Sequence, residues 1–301
     1  MNLRQIAIGV AAAGLAAAFV PVAHAQLNRT AVSVIGNDVN NCAVVTPCRS
    51  FARAVSQTIP GGEVVALDSA GFGPFIADRS ITVQAAPGVY AGITASAGSA
   101  VEIAAGASDK IVLRGLTING LGTASAGIAF IGGGAEVQVE NCLITGFVNW
   151  GILSYFAIRV QDTIVRESDI GIQIDNAGAA VNATLERVQV QNSATFAVFS
   201  WRNARVAVRD SVATLSGVGF RAADSGVLNI ENSLATENTT GVSAATLFSG
   251  GGTVRISNTM VVNNSSTGVD VGTGTVETWT NNRIRGNATN LSGSLTTVPA
   301  M

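Results

Sequence analysis

The stretch Val206-Ala-Val208-Arg-Asp210 returns as Leu228-Asn-Ile230-Glu-Asn232 and again as Val254-Arg-Ile256-Ser-Asn258. In each copy two apolar residues alternate with polar ones, and an Asp or Asn follows. Alternation with a period of two is typical of a β-strand that has one buried face. Because Asn and Asp tolerate left-handed backbone conformations, the residue after each strand predicts a tight corner.

The pattern recurs in eight copies from Ile111 to Thr278, so its mean period is (278 − 111)/7, or about 24 residues. A period of this length indicates a solenoid. A second strand follows each copy in the same phase and opens at Gly127, Gly151, Gly171, Ala197, Gly219, Gly241 and Gly268. We therefore predict an all-β, single-stranded right-handed parallel β-helix, with inward Val, Ile and Leu stacked as a core and corner Asn residues stacked as ladders.

Other repeat folds fit the pattern less well. A leucine-rich repeat requires regularly placed leucines, which are scarce in this chain. A propeller requires antiparallel hairpins with two-residue turns, and a β-sandwich would not keep strand and corner in phase over eight copies.

The chain divides into four predicted parts. Residues 1–25 read as a secretory signal with Arg4, an apolar run and the cleavage site Ala23-His24-Ala25, so the mature chain would begin at Gln26. A membrane anchor is the alternative, but the apolar run is short for a bilayer span, and no membrane span is expected after cleavage. Residues 26–61 are predicted to form an N-terminal cap, 62–290 the coil and 291–301 a C-terminal tail.

The cap is expected to contain a disulfide loop and a helix. Cys42 and Cys48 would close a small loop in an oxidising compartment, with two free thiols as the alternative. A short helix that begins after Ser50 as N-cap would cover the first turn of the coil. Its apolar face would consist of Phe51, Ala54 and Val55.

Two residues of the coil are expected to be buried in its interior. Cys142 lies in a strand pattern, where a lone cysteine behaves as a small hydrophobic residue. Trp279 lies in the degraded last copy of the repeat and is expected to help close the core.

Composition excludes several classes of function. Without the signal the chain has 17 − 1 = 16 basic residues against 19 acidic ones, a net charge of about −3 that gives no reason to expect nucleic-acid binding. A charged fraction of 12% beside a hydrophobic fraction of 48% argues against disorder. The sequence has no Cys/His spacing typical of a metal site, and we expect neither a metal nor a cofactor.

The chain resembles the pectin-lyase-like right-handed parallel β-helix superfamily over nearly all of residues 30–290. The resemblance is carried by the later strand repeats and by the segments Gly36-Asn-Asp38, Pro47-Cys48-Arg-Ser-Phe51, Gly61-Gly62-Glu-Val-Val and Gly71-Phe72-Gly73. Within it, the chain is most similar to a group of uncharacterised secreted bacterial β-helix repeat proteins. The resemblance implies the fold, but the scaffold hosts lyases, hydrolases, epimerases, adhesins and phage tailspikes, so activity must be argued from a site.

Known catalytic motifs of this superfamily are missing. The sequence lacks the WxDH and RxPxxR patterns of pectate lyases, the Gly-His-Gly of polygalacturonases and the Asp-Pro-His-Asp of alginate epimerases. The mature chain has no histidine, which excludes a histidine-dependent mechanism. Its fifteen arginines leave arginine-based β-elimination open.

One constellation stands out when the copies are stacked. The residue four places after the opening Gly or Ala of the second strand is Tyr155, Asp175 and Trp201 in three consecutive copies, and one place further lie Arg202 and Asp224. Neighbouring strands are about 4.8 Å apart, so the two aromatics would lie about 10 Å apart with a carboxylate between them. Aromatic faces interleaved with polar groups suit sugar rings.

These five residues are the predicted ligand-binding site, pictured as one exposed stripe. In the alternative geometry the side chains point inward, and Asp175 is a buried carboxylate that Arg202 or backbone amides must satisfy. In a further alternative the two aromatics only cover the core.

The sequence thus favours an exported protein, secreted, periplasmic or on the cell surface, that binds polysaccharide. A polysaccharide lyase or a related carbohydrate-active enzyme is one alternative. A structural or adhesive surface protein is the other.

Overall fold

The computed structural model describes residues 26–299, so the predicted signal peptide lies outside the described residues. The described chain is an all-β right-handed parallel β-helix of about ten turns with one short helix, which confirms the predicted fold class. No helix within residues 26–299 is both long enough and apolar enough to cross a membrane.

Each full turn adds one strand to each of three parallel sheets, which we call sheets A, B and C. Sheet A contains Leu27–Val32, Thr58–Ala66, Ile81–Ala85, Lys110–Arg114, Glu136–Glu140, Ile158–Gln161, Val227–Glu231, Thr253–Ser257, Thr275–Thr278 and Thr296–Thr297. Sheet B contains Ala70–Gly71, Ala91–Thr94, Leu116–Asn119, Val212–Thr214, Leu234–Thr236, Met260–Val262 and Arg283–Arg285. Sheet C contains Phe75–Ala77, Ser99–Ile103, Ala126–Phe130, Val218–Ala223, Thr240–Ala244, Thr267–Asp270 and Thr289–Ser292.

Three long strands continue around corners of the coil and join the sheets. Leu143–Ser154 belongs to sheets B and C, whereas Ile164–Glu186 and Gln189–Arg209 pass through sheets B, C and A in turn. These strands pair with their equivalents in register, interrupted only by local shifts at the corners. The sequence therefore repeats in space at the same phase as it repeats along the chain.

The inward and outward positions follow the predicted alternation. Val208, Ile230 and Ile256 are paired in register on neighbouring turns of sheet A, and all three are buried. Arg209 and Glu231, one residue further along, are exposed. Stacked inward aliphatic side chains therefore form one continuous core along the axis.

The corner between sheets A and B has the predicted left-handed residues. Asp210, Asn232 and Asn258 have φ values of 52°, 49° and 48°. Their side chains are hydrogen-bonded along the stack: the amide of Asn258 donates to Asn232 Oδ1 over 3.1 Å, and the amide of Asn232 donates to Asp210. This confirms the ladder at these three turns.

A second, buried ladder lies at the corner between sheets B and C. The backbone N–H groups of Ser216, Asn238 and Asn264 each donate to a side-chain amide oxygen of the next turn, over 3.0, 3.1 and 2.9 Å. The acceptors are Asn238, Asn264 and Asn287 in that order. Each turn thus satisfies buried polar groups of the turn before it.

The N-terminal cap has the predicted disulfide and helix. Cys42 and Cys48 are bridged, with Cα atoms 4.7 Å apart. The helix spans Phe51–Gln57, and the side chain of its N-cap Ser50 accepts a hydrogen bond from the N–H of Arg53. The predicted apolar face is buried at Phe51, Ala54 and Val55.

Strand pairing extends beyond the limits 62–290 predicted for the coil. Leu27–Val32 pairs with Thr58–Ala66 in sheet A, although it belongs to the stretch assigned to the cap. At the other end Thr289–Ser292 pairs with Thr267–Asp270, and Thr296–Thr297 pairs with the preceding strand of sheet A. The sequence pattern does not predict these end strands. The cap separates the first strand from the repeats, and the last strands are polar and exposed without alternation.

Candidate functional site

The predicted site residues share one position on neighbouring turns, at the end of sheet C. Asp175 pairs with Trp201, and Asn176 pairs with Arg202. Ser154 pairs with Ile174, so Tyr155 follows directly on the same column. Counting four residues from the opening Gly or Ala of each second strand therefore predicts correctly which residues stack on neighbouring turns.

Asp175 is buried, whereas its partner reaches the surface. The carboxylate of Asp175 is 1% exposed, and its two oxygens accept hydrogen bonds from Nε and Nη2 of Arg202. The side chain of Arg202 is 35% exposed. The expectation of one exposed stripe is therefore wrong at Asp175, because the bidentate guanidinium of the next turn makes burial of the charge possible.

Trp201 is packed between neighbours on the same surface. The guanidinium carbon of Arg202 lies 4.2 Å from the centroid of the Trp201 ring, which is a cation–π contact. Phe199 stacks on Trp201 at 5.7 Å, and Phe248 lies at 5.8 Å in a tilted arrangement. Trp201 is therefore the centre of an aromatic group and not an isolated platform.

Asp224 connects this aromatic group to a loop. Its carboxylate, 6% exposed, accepts a 2.8 Å hydrogen bond from Nε1 of Trp201 and hydrogen bonds from the N–H groups of Leu247, Phe248 and Ser249. Burial acts to raise the pKa of Asp224, but these hydrogen bonds outweigh it together and hold the pKa below its ordinary value. Asp224, predicted to touch a ligand, thus has its oxygens occupied by the protein.

Among the residues around Trp201, the side chain most exposed to solvent is one that the sequence analysis did not predict. Phe248 is 76% exposed and is held at its backbone by Asp224. The signal was available, since Leu247 and Phe248 form an apolar pair in an otherwise small and polar loop. We call Asp175, Trp201, Arg202, Asp224 and Phe248 the Trp201 cluster. Tyr155, by contrast, is half-buried against the core, as expected of a covering residue.

A second arginine lies on the outer face of sheet C. Nη1 of Arg221 donates to Ser243 Oγ over 3.1 Å, and the Phe196 ring lies 5.1 Å from its guanidinium carbon. Its Nε is buried and has no hydrogen-bond partner among the described residues. Burial lowers the pKa of the Arg221 guanidinium from its ordinary value, against the opposing attraction of Asp270 and Asp224.

Trp279 is not in the core. Val276 and Thr278 are the buried residues of the strand that precedes it, so Trp279 points to the other side, and it lines a groove of about 350 Å³ on the outer face of sheet A. The expectation that it closes the core is wrong because the alternation places it at an outward position.

No family model matches the sequence, and no curated protein matches it. Among solved structures, an alginate lyase from Paenibacillus sp. str. FPU-7 is similar, with a TM-score of 0.64 and 16% identity over 88% of this chain and 98% of that one. Pectate lyase Pel9A is similar with a TM-score of 0.56 and 16% identity, over 84% of this chain and 68% of that one. These likenesses show the fold, a right-handed parallel β-helix, and the resemblance seen in the sequence is confirmed as far as the fold.

Proposed function

We propose that the protein binds polysaccharide through the Trp201 cluster. The observation that carries this proposal is that Phe248, which is 76% exposed, and the guanidinium of Arg202 both contact the ring of Trp201. An aromatic ring supplies apolar area for a sugar face, and a guanidinium supplies hydrogen-bond donors that fix the orientation of hydroxyl or carboxylate groups.

The cluster is built to hold these two groups in place. Asp175 fixes Arg202 through two hydrogen bonds, and Asp224 fixes both the indole of Trp201 and the backbone of the Phe248 loop. A binding group that is already ordered loses less conformational freedom when a ligand arrives. Burial of the carboxylates of Asp175 and Asp224 costs desolvation free energy that packing alone would not require. This cost supports a role for the two carboxylates in holding the ligand-binding groups in position.

We further propose that the protein is exported. The secretory pattern of residues 1–25 and the disulfide between Cys42 and Cys48 support this, since disulfides persist in oxidising compartments. Mass spectrometry of protein recovered outside the cytoplasm should give a chain that begins at Gln26. Recovery of a chain that retains Met1 would contradict the proposal.

The binding proposal is tested on an array of extracellular and plant cell-wall polysaccharides. Wild-type protein should be retained by at least one polysaccharide, and Phe248→Ala should reduce that retention by about tenfold. Tyr90→Ala is the matched control, because Tyr90 is also an exposed aromatic but lies far from the cluster in sequence. Equal retention of Phe248→Ala and wild type would contradict binding at this cluster. Absence of retention would favour a structural or adhesive role.

A second candidate function is β-elimination by Arg221. Arg221 stays protonated in a protein, so its role in this reaction would be to bind the carboxylate of a uronate and acidify the proton next to it; its Nε, which has no hydrogen-bond partner among the described residues, favours this role. The same array can be read for new unsaturated ends, which only a lyase produces. Their formation by wild type and loss in Arg221→Gln would establish the enzyme, and retention without new ends would leave binding as the function.

A further inference from the structure

A groove crosses the outer face of sheet A near the C-terminal end of the coil. Its central column runs in register through Thr184, Ala207, Asn229, Arg255 and Glu277 on five consecutive strands. Five strands at about 4.8 Å separation span roughly 19 Å, room for several sugar units. The volume of about 350 Å³ is within the range of small-molecule sites.

The depth of the groove comes from one small residue. Ala207 is exposed at an outward position where the equivalent residues of the three earlier turns are Gln138, Arg159 and Thr184, all of them larger. Its methyl group leaves a depression between the longer side chains of the flanking turns, and Trp279 lines the same groove. The groove therefore offers an apolar floor and an indole.

Charges in the groove cancel. The lining contains Arg209, Arg255, Glu186 and Glu231, and the carboxylate of Glu186 is paired with Arg187. Arg209 pairs with Glu231 at 3.2 Å, and Arg255 reaches Glu277 at 2.5 Å and the side-chain oxygen of Asn229 at 3.3 Å. Paired charges present both donors and acceptors but no net field that would attract an anion.

We propose that this groove is a second carbohydrate-binding site and that it takes neutral pyranose units. A neutral sugar has an apolar face for Trp279 and Ala207 and hydroxyl groups that both donate to the glutamates and accept from the arginines. A uronate chain would meet the carboxylates of Glu186 and Glu231 without excess positive charge to balance it. The proposal is independent of the Trp201 cluster, because it rests on different residues and on a different sheet.

The test uses the full mature protein and isothermal titration with cellohexaose, xylohexaose, mannohexaose and hexagalacturonate. At least one neutral hexaose should bind, and Ala207→Gln should raise its Kd about tenfold or more by filling the depression. The coil holds Gln138 at the equivalent position, so this variant is expected to fold. Trp279→Ala should weaken binding of the same probe. Arg159→Gln, on the same column two turns from Ala207, is the matched control and should bind like wild type.

Three results would overturn the proposal. These are no binding of any neutral hexaose, binding of hexagalacturonate alone, or an unchanged Kd in Ala207→Gln. Phe248→Ala separates the two sites: it should leave binding in the groove unchanged. Loss of neutral-sugar binding in Phe248→Ala but not in Ala207→Gln would assign that binding to the Trp201 cluster and also overturn the groove.

Discussion

The buried carboxylate of Asp175 is neutralised by Arg202, which comes from the next turn of the coil. Both oxygens of the carboxylate accept hydrogen bonds, while the Arg202 side chain is 35% exposed and its guanidinium lies over the ring of Trp201. The pair thus links a buried charge to the surface that we propose binds polysaccharide. Removing one partner and removing both should therefore have very different effects.

Arg202→Gln should destabilise the protein by about 3–5 kcal/mol, because it leaves Asp175 charged and unpaired in the interior. Asp175→Asn combined with Arg202→Gln should be considerably less destabilising, since no buried charge then remains. Chemical denaturation of the wild type, both single variants and the double variant gives the coupling free energy. Additive losses in the double variant would contradict the pairing.

Asp224 should make stability depend on pH at the acid end. Its folded-state pKa lies below the ordinary 3.8, so its stabilising contribution is present above that ordinary value and is lost as pH falls through the folded pKa. The stability difference between wild type and Asp224→Asn should be largest near neutral pH and shrink below pH 3.8. Thermal unfolding of both proteins from pH 7 to pH 2.5 measures this difference. A difference that stays constant over the whole range would exclude a charged Asp224.

The inward and outward phase of sheet A predicts opposite outcomes for two neighbours. Ile230→Asp should cost about 4 kcal/mol or more, since Ile230 is 2% exposed and an introduced charge would have no partner in the core. Glu231→Ser should change stability by about 1 kcal/mol or less, because its ion pair with Arg209 is solvent-exposed. Denaturation midpoints provide the comparison, and equal shifts would refute the assigned phase.

Cys142 should resist alkylation in the folded protein. Burial raises the pKa of its thiol to about 11, so at pH 8 only about one thiol in a thousand is the reactive thiolate. Iodoacetamide should label Cys142 only after denaturation. Labelling of Cys42 and Cys48 should require both denaturation and reduction of the disulfide. Rapid labelling of Cys142 in native protein would contradict its burial at the corner between Glu136–Glu140 and Leu143–Ser154.

Local signals in the chain were sufficient for the fold. The period-two alternation placed Val208 and Ile230 in the core, and the corner residues Asp210 and Asn232 marked the turns. Stacking the copies also brought Asp175 and Trp201 together, since register in a solenoid follows directly from repeat phase. Each of these inferences needs only neighbouring residues or the repeat itself.

The burial of the site residues and the shape of the groove could not be predicted in the same way, because they depend on contacts that a repeat pattern does not contain. The burial of Asp175 depends on the guanidinium of Arg202, and the exposure of Phe248 depends on a loop that is held by Asp224. The groove at Ala207 exists because its neighbours on adjacent turns are larger. These features depend on differences between the side chains of adjacent turns, or on a loop that interrupts the repeat. The repeat pattern itself contains neither.

The buried ladder at the corner between sheets B and C has a consequence for how this chain can change in evolution. Because the backbone N–H of Asn238 is satisfied by Asn264, and that of Asn264 by Asn287, each turn of this ladder offers the turn before it the same acceptor. Duplication or deletion of one complete turn would leave no polar group orphaned, whereas loss of part of a turn would strand a buried amide. The coil can therefore gain or lose whole turns during evolution. The length of polymer that it spans can change in this way without substitutions in its interior.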